Sequence, residues 1–263
     1  MIGLFFGDTD FPKLILKNIK KNKKKYFIID LSKNYIFKKD PNSHRISIGQ
    51  FGKILKLIRY KKCKKVLFAG KINKPKFSQL KLDMTGIYYI PRIIKASKKG
   101  DAAILKELIR ILFIEKIKVI KSIFFNPELS LSKGNYTKLK PDKNDLIDIK
   151  RGIKSLNNSN SYDHIQAAIV RKDRVIAQES SKGTKKMIQS IKKIKNKSGI
   201  LIKFPKKKQD LRADLPTIGL DTFVDCKKVG LKGVVLKNKQ NIFLEKKLCI
   251  KFANKNKMFV IVR

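Results

Sequence analysis

Negative charge is what this sequence has least of. Its 263 residues hold 20 Asp and Glu against 64 Lys and Arg, a formal charge of +44. Imidazole is scarcer still, with only His44 and His164, which argues against a structural zinc site. Three cysteines, Cys63, Cys226 and Cys249, lie far apart with no CxxC pair, which fits a reducing compartment better than a disulfide framework. A bound metal would have to rest on carboxylates, which favours Mg2+, with Mn2+ as the alternative. No uncharged apolar run approaches the ~20 residues that span a bilayer. The start, "MIGLFFGDTD", lacks a basic leader, and its apolar run is too short for a signal peptide. The expectation is a soluble, cytoplasmic protein, basic enough to rest peripherally on the anionic inner-membrane surface. "GLFFGDTD" is also not GxGxxG, so the dinucleotide fingerprint is absent.

Excess positive charge ordinarily suggests nucleic acid. Here it is almost all Lys, and Ile and Asn are plentiful too; these residues share AT-rich codons. Runs such as "KNIKKNKKKY" and "IKKIKNK" read as solvated helix ends without interleaved aromatics. No nucleic-acid partner is expected, and polyanion binding stands as an alternative function.

The chain has the length of two α/β domains, and its hydrophobic content of 42% is enough for real cores. Strands are expected at Ile2–Phe6, Tyr26–Leu31 and Lys65–Gly70, separated by helices capped near Asp8, Thr9 or Asp10 and running through Phe51–Ile58. That order predicts a Rossmann-like parallel sheet with helices on both faces. Two helices flank Gly100–Asp101, Asp101 being the expected N-cap, and a strand lies near Val119. The turn-rich "NPELSLSKGNYTKLKP" marks a boundary, giving domains 1–130 and 131–263, the second mixed α/β and carrying "QDLRADLPTIG". In that half an amphipathic helix, "KNDLIDIKRGIKSL", precedes a hairpin about Lys172–Asp173. A helix capped by Thr184, the strand "GILIKF", the helix "LDTFVDCKKVG", a hairpin "GVVLKNKQNIFLE" and a terminal strand "FVIV" follow.

In so basic a chain the stretch "KFPKKKQDLRADLPTIG" stands out. Read as extended chain, it places Asp210, Arg212 and Asp214 on one side. Two carboxylates so spaced can share a divalent cation, while Arg212 grips a phosphate oxygen and Gln209 adds an amide. Lys203, Lys206, Lys207 and Lys208 would offset a phosphorylated ligand's charge. This is the chemistry of metal-assisted phosphoryl transfer. Two plainer readings compete: an Asp–Arg–Asp ion-pair ladder, and Asp214 capping a helix that begins near Pro216. Elsewhere, Gly7 and Gly70 sit at strand ends where open α/β sheets bind ligands, beside Asp8 and Lys71. Gly183–Thr184 either holds a phosphate on backbone N–H groups or simply caps a helix. Gln166 either pairs in the core or meets ligand, and His164 reads as structural.

The succession "IGQFGKILKLI", "VLFAGKINKP", "KKGDAAIL", "IQAAIV", "KGTKKMI" and "QDLRADLPTIGLDT" resembles the LpxI-type UDP-2,3-diacylglucosamine pyrophosphatases along essentially the whole chain. The resemblance implies a two-domain, Mg2+-dependent hydrolase using a water nucleophile. It would convert UDP-2,3-diacylglucosamine to UMP and 2,3-diacylglucosamine 1-phosphate in lipid A synthesis. The family's essential aspartate carries over to Asp214 first and Asp210 second, both catalytic and metal-binding. Its substrate contacts carry over to Gly7, Gly70, Gly183, Thr184, Gln209 and Arg212, joined by Asp8, Lys71, Gln166, Lys203 and Thr217. Departures are Asp8 in a loop usually richer in glycine, Lys208 and Ile165 where glycine is usual, and Lys182 and Lys185 where an acid is common. Expected partners are the UDP-linked lipid, an anionic membrane surface and a second copy of the chain in a homodimer. A non-catalytic sugar-nucleotide or lipid-binding relative is the other alternative.

Overall fold

The structure, a computed structural model, describes residues 1–72, 76–158, 165–206 and 209–263. His164, Lys207 and Lys208 lie outside the described residues. The chain divides into two compact units. The first is Met1–Pro127 with Asp210–Asp214, and the second is Glu128–Gln209 with Leu215–Arg263. Part of the QDLRADLPTIG block therefore groups with the first unit, whereas the boundary read from sequence kept all of it in the second half.

In the first unit β1 (Ile2–Phe6) leads into α1 (Phe11–Lys21), β2 (Tyr26–Asp30), the short β3 (Ser43–His44), α2 (Phe51–Tyr60) and β4 (Lys65–Ala69). Two helices, α3 (Met84–Ser97) and α4 (Asp101–Ile114), then precede β5 (Lys118–Val119). All five strands are parallel, in the order β3-β2-β1-β4-β5. The central runs IGLFF, YFIID and KVLFA are buried almost throughout, as strands covered on both faces must be. Phe5, Phe27, Ile29, Val66 and Phe68 form one core with α2 and α4, while Leu4, Phe6, Ile28 and Leu67 fill the opposite face. Asp101 is the first helical residue of α4; the cap position belongs to Gly100, whose φ of 107° suits glycine.

The second unit contains β6 (Gly134–Asn135), α5 (Lys143–Asn158), the hairpin β7 (Ala167–Arg171) and β8 (Arg174–Gln178), α6 (Gly183–Ser190) and β9 (Ile200–Lys203). After β10 (Thr217–Ile218) come α7 (Leu220–Lys228), β11 (Gly233–Leu236), β12 (Ile242–Phe243), α8 (Lys246–Lys255) and β13 (Phe259–Val262). The main sheet runs β6-β13-β11-β9-β7-β8. Its three central strands are parallel, and antiparallel strands close both edges. Alternation sorts the side chains. Ile169, Leu201, Val234 and Val260 pack with α6, α7 and α8, whereas Val170, Ile200, Ile202, Val235 and Ile261 pack with α5.

Several local expectations are corrected here. "GVVLKNKQNIFLE" is no hairpin, because β11 pairs in parallel with β9 and β13 while β12 pairs with β10. The unbroken apolar run GVVL is the mark of a central parallel strand, and its polar turn leads the chain away. Helix α8 was not anticipated. Thr184 is the second residue of α6, with Lys182 in the cap position. The helix expected near Pro216 starts instead at Leu220, with Gly219 in the cap position that the sequence reading gave to Asp214.

Candidate functional site

At the carboxyl ends of β1 and β4 the strand order reverses direction, the place where open α/β sheets bind ligands. Two loops are locked together there. Asp8 N–H donates to Lys71 O and Lys71 N–H to Asp8 O, both at 2.8 Å, and Gly7 N–H donates to Ala69 O at 2.9 Å. The approach leaves no room for side chains, because a Cβ on Gly7 would lie 2.3 Å from Lys71 O. Gly70, at φ +85°, would bring one 2.5 Å from Asp8 O. The Asp8 carboxylate accepts from Lys33 N–H at 3.2 Å. Gly7, Asp8, Gly70 and Lys71 thus form one built edge of the first unit.

The same unit holds the turn at Asp210–Asp214, and its backbone is not the extended strand expected. Asp210 O accepts from Ala213 N–H at 3.1 Å and from Asp214 N–H at 3.0 Å, a single helical turn. The cause is local: the Asp210 carboxylate takes Arg212 N–H at 3.0 Å, an Asx turn that outcompetes a ladder. Arg212 then closes on that carboxylate through Nε at 2.9 Å and Nη2 at 2.6 Å. Arg212 foremost holds the Asp210 carboxyl below its ordinary range, with Lys106 of α4 adding to the effect, and Asp210 in turn raises Arg212. The turn is pinned by Ser122 N–H donating to Arg212 O at 2.7 Å and by Ala213 packing on the first core. The ion pair of the plainer reading is present, on a turn rather than a ladder.

Buried polar groups gather in the second unit. Lys203, the last residue of β9, donates from Nζ to Thr184 Oγ1 and to Thr217 O, each at 2.9 Å. Burial pushes this ammonium down from its usual range, against the pull of the Glu179 carboxylate. Gln166 pairs with a neighbouring amide: its Nε2 donates to Gln209 Oε1 at 3.3 Å, and that oxygen also takes Lys206 N–H at 2.9 Å. Gln209 Nε2 is buried without a hydrogen-bond partner among the described residues, a donor left for something else. Gly183, at φ +81°, opens α6 with nothing within 4 Å of where a Cβ would stand.

Sequence reasoning missed Glu179. Its carboxylate accepts from the Thr184 hydroxyl and, at 3.0 Å, from Gln166 N–H, tying those two residues to Lys203. The available signal was an acid five residues before Thr184 in a chain poor in acids. Lys106 was missed too, since only the folded chain brings it to Asp210.

Among the described residues no group of three or more His, Cys, Asp or Glu is arranged to hold a metal. The metal candidates read from the sequence, Asp210 and Asp214, stand one turn apart, and the Asp210 carboxylate is engaged by Arg212. Mg2+ commonly takes one or two carboxylates and completes its shell with phosphate oxygens and water, so Asp210 would join in holding it only with Arg212 displaced.

Residues 1–129 match the family model described as the LpxI N-terminal domain, and residues 132–261 match the LpxI C-terminal domain. The protein named UDP-2,3-diacylglucosamine pyrophosphatase LpxI, from Caulobacter vibrioides, is 30% identical over 224 residues, covering 82% of this chain and 80% of that protein. Two successive domain models across nearly the whole length, and a relative aligned over both, make the chain a member of the LpxI family.

Proposed function

We propose that the protein hydrolyses the diphosphate of UDP-2,3-diacylglucosamine, releasing UMP and 2,3-diacylglucosamine 1-phosphate for lipid A synthesis, with Mg2+ or Mn2+ as cofactor. The observation that carries this reading is the likeness, across both domains, to a relative named for that substrate. A water oxygen bonds to one phosphorus, the bridging P–O bond breaks, and UMP leaves. Asp214, with Asp210, would hold the cation, which supplies charge neutralisation at the diphosphate when bound. Arg212 and Lys203 would offset charge on phosphoryl oxygens, and Gln209 Nε2, without a partner among the described residues, offers a further donor. The first turn of α6 at Thr184, with open space where a Cβ on Gly183 would stand, suits a phosphate oxygen, and the absence of side chains at Gly7 and Gly70 suits a close-lying part of the ligand.

The substrate is an amphiphile, so contact with an anionic membrane surface belongs to the same proposal. No described helix is long and apolar enough to cross a membrane. One side of α3 nevertheless leaves Met84, Ile87, Tyr88 and Ile94 exposed, at spacings that place them along one helical face.

Turnover of UDP-2,3-diacylglucosamine by purified protein, in Mg2+ and in EDTA, tests the reading through UMP release. Metal-dependent UMP is expected, with Asp214→Asn slower by roughly 100-fold or more. Full Mg2+-dependent activity in that variant would sink the assignment to Asp214. Substrate bound but uncleaved would mean a non-catalytic relative. Binding to DNA alone, steeply weakened by salt, would mean a polyanion binder.

A further inference from the structure

Glu179 lies one residue beyond β8, only 8% exposed, in a chain with 20 acids in all. Its own N–H donates to Ala167 O at 2.9 Å, fixing the backbone beside β7. One carboxylate oxygen receives Gln166 N–H at 3.0 Å, and the other receives the Thr184 hydroxyl. That hydroxyl has a single proton, so a bond to Glu179 commits it; its lone pair is then turned toward Lys203 Nζ at 2.9 Å. A second ammonium proton goes to Thr217 O at 2.9 Å. Two of the three protons of Lys203 are thus accounted for by the protein, and the direction of the third is set by the other two.

We propose that Glu179 is a positioning residue for the hydrolysis: through Thr184 it keeps Lys203 an ammonium and aims its remaining proton at a phosphoryl oxygen. This rests on the reading that Lys203 serves the diphosphate. The need for such a residue follows from burial. Lys203 is 8% exposed, and burial of an isolated ammonium favours its neutral form. Among the described residues, the groups facing it are few. Glu179 attracts it from beyond β8, and Thr184 of α6 and the Thr217 carbonyl of β10 offer neutral oxygens. Cys226 of α7, fully buried beside Asp225, has its thiol pushed up and stays neutral. Asn241 binds the Lys203 carbonyl rather than its amine, at 3.0 Å. Glu179 is therefore the charge that opposes the burial of Lys203.

The test joins two readouts. Protein carrying lysine labelled at Cε is titrated by carbon NMR, Lys203 being assigned by the signal lost in K203R. The pH profile of kcat/KM for UMP release is measured alongside. In Glu179→Gln the Lys203 signal is expected to titrate at lower pH than in the wild type. The alkaline limb of kcat/KM should move the same way, and kcat should fall about tenfold or more while KM changes less. Glu179→Asp, which keeps the charge, should restore part of the titration. An unmoved Lys203 titration with activity lost evenly across pH would overturn the proposal and leave Glu179 a structural residue. If Glu179→Gln does not fold, Thr184→Val breaks the same link with Glu179 intact and must displace the Lys203 titration in turn. A wild type that releases no UMP would end the functional reading, yet the Lys203 titration would still decide the role of Glu179.

Discussion

The pairing of Asp210 with Arg212 shows how much one carboxylate can do in a basic chain. It builds its own turn through Arg212 N–H and holds the guanidinium by two nitrogens. With its folded pKa lowered, Asp210 contributes stability that is present above the unfolded value of about 3.9 and lost as pH falls through the folded value. Arg212 is half-exposed, so the pair is worth no more than about 1 kcal/mol. Arg212→Met is expected to change a urea melt at pH 7 by no more than that, with the difference vanishing near pH 2. UMP release should meanwhile fall by roughly 100-fold. A loss confined to stability would make the pair structural. The sequence named the partners correctly, but alternation of faces was the wrong geometry. Side-chain capping of the backbone decided it, and a spacing of four is satisfied by a helical turn as well as by a strand.

At the scale of elements, the clearest case is a side chain the sequence did not single out. Asp83 caps α3 through Gly86 N–H at 2.8 Å, and it also receives Gly52 N–H at 3.1 Å and Lys53 N–H at 3.0 Å from the first turn of α2. One carboxylate thus serves two helix starts. Burial alone would raise it, but the three N–H donors outweigh burial and hold it below the usual range. The glycines make the contact feasible: a Cβ on Gly86 would stand 2.2 Å from Gly49 O, and one on Gly52 would stand 2.7 Å from Thr85 Oγ1. Asp83→Ala is expected to cost about 2 kcal/mol in denaturant unfolding at neutral pH, near the upper end for a single cap. The deficit should shrink as pH falls through the folded pKa of Asp83, because the wild type then loses the same bonds. A deficit constant down to pH 2 would show that the charge contributes nothing.

For the whole molecule the charge of +44 and the exposed α3 residues bear on the same proposal. Cosedimentation with phosphatidylglycerol vesicles is expected at low salt and should weaken as salt rises, since screening shortens the reach of surface lysines. Replacing Ile87 and Tyr88 together by Ser should remove the part of the binding that survives high salt. No binding to anionic vesicles at low salt would exclude the membrane contact.

The sequence by itself determined the first unit's strand–helix order, apart from the short β3 that reads as polar loop, and the hairpin about Lys172–Asp173, because buried parallel strands and tight turns are local patterns of apolar runs and turn residues. It also determined the family, through motifs spread along the chain. Only the tertiary structure decided which strands neighbour β11, that Gln166 meets Gln209, and that Glu179 reaches Lys203 through Thr184. Those contacts join residues distant in sequence, and the side chains that make them carry no periodicity. Their partners are selected by where the backbone is buried and which polar groups must be satisfied there.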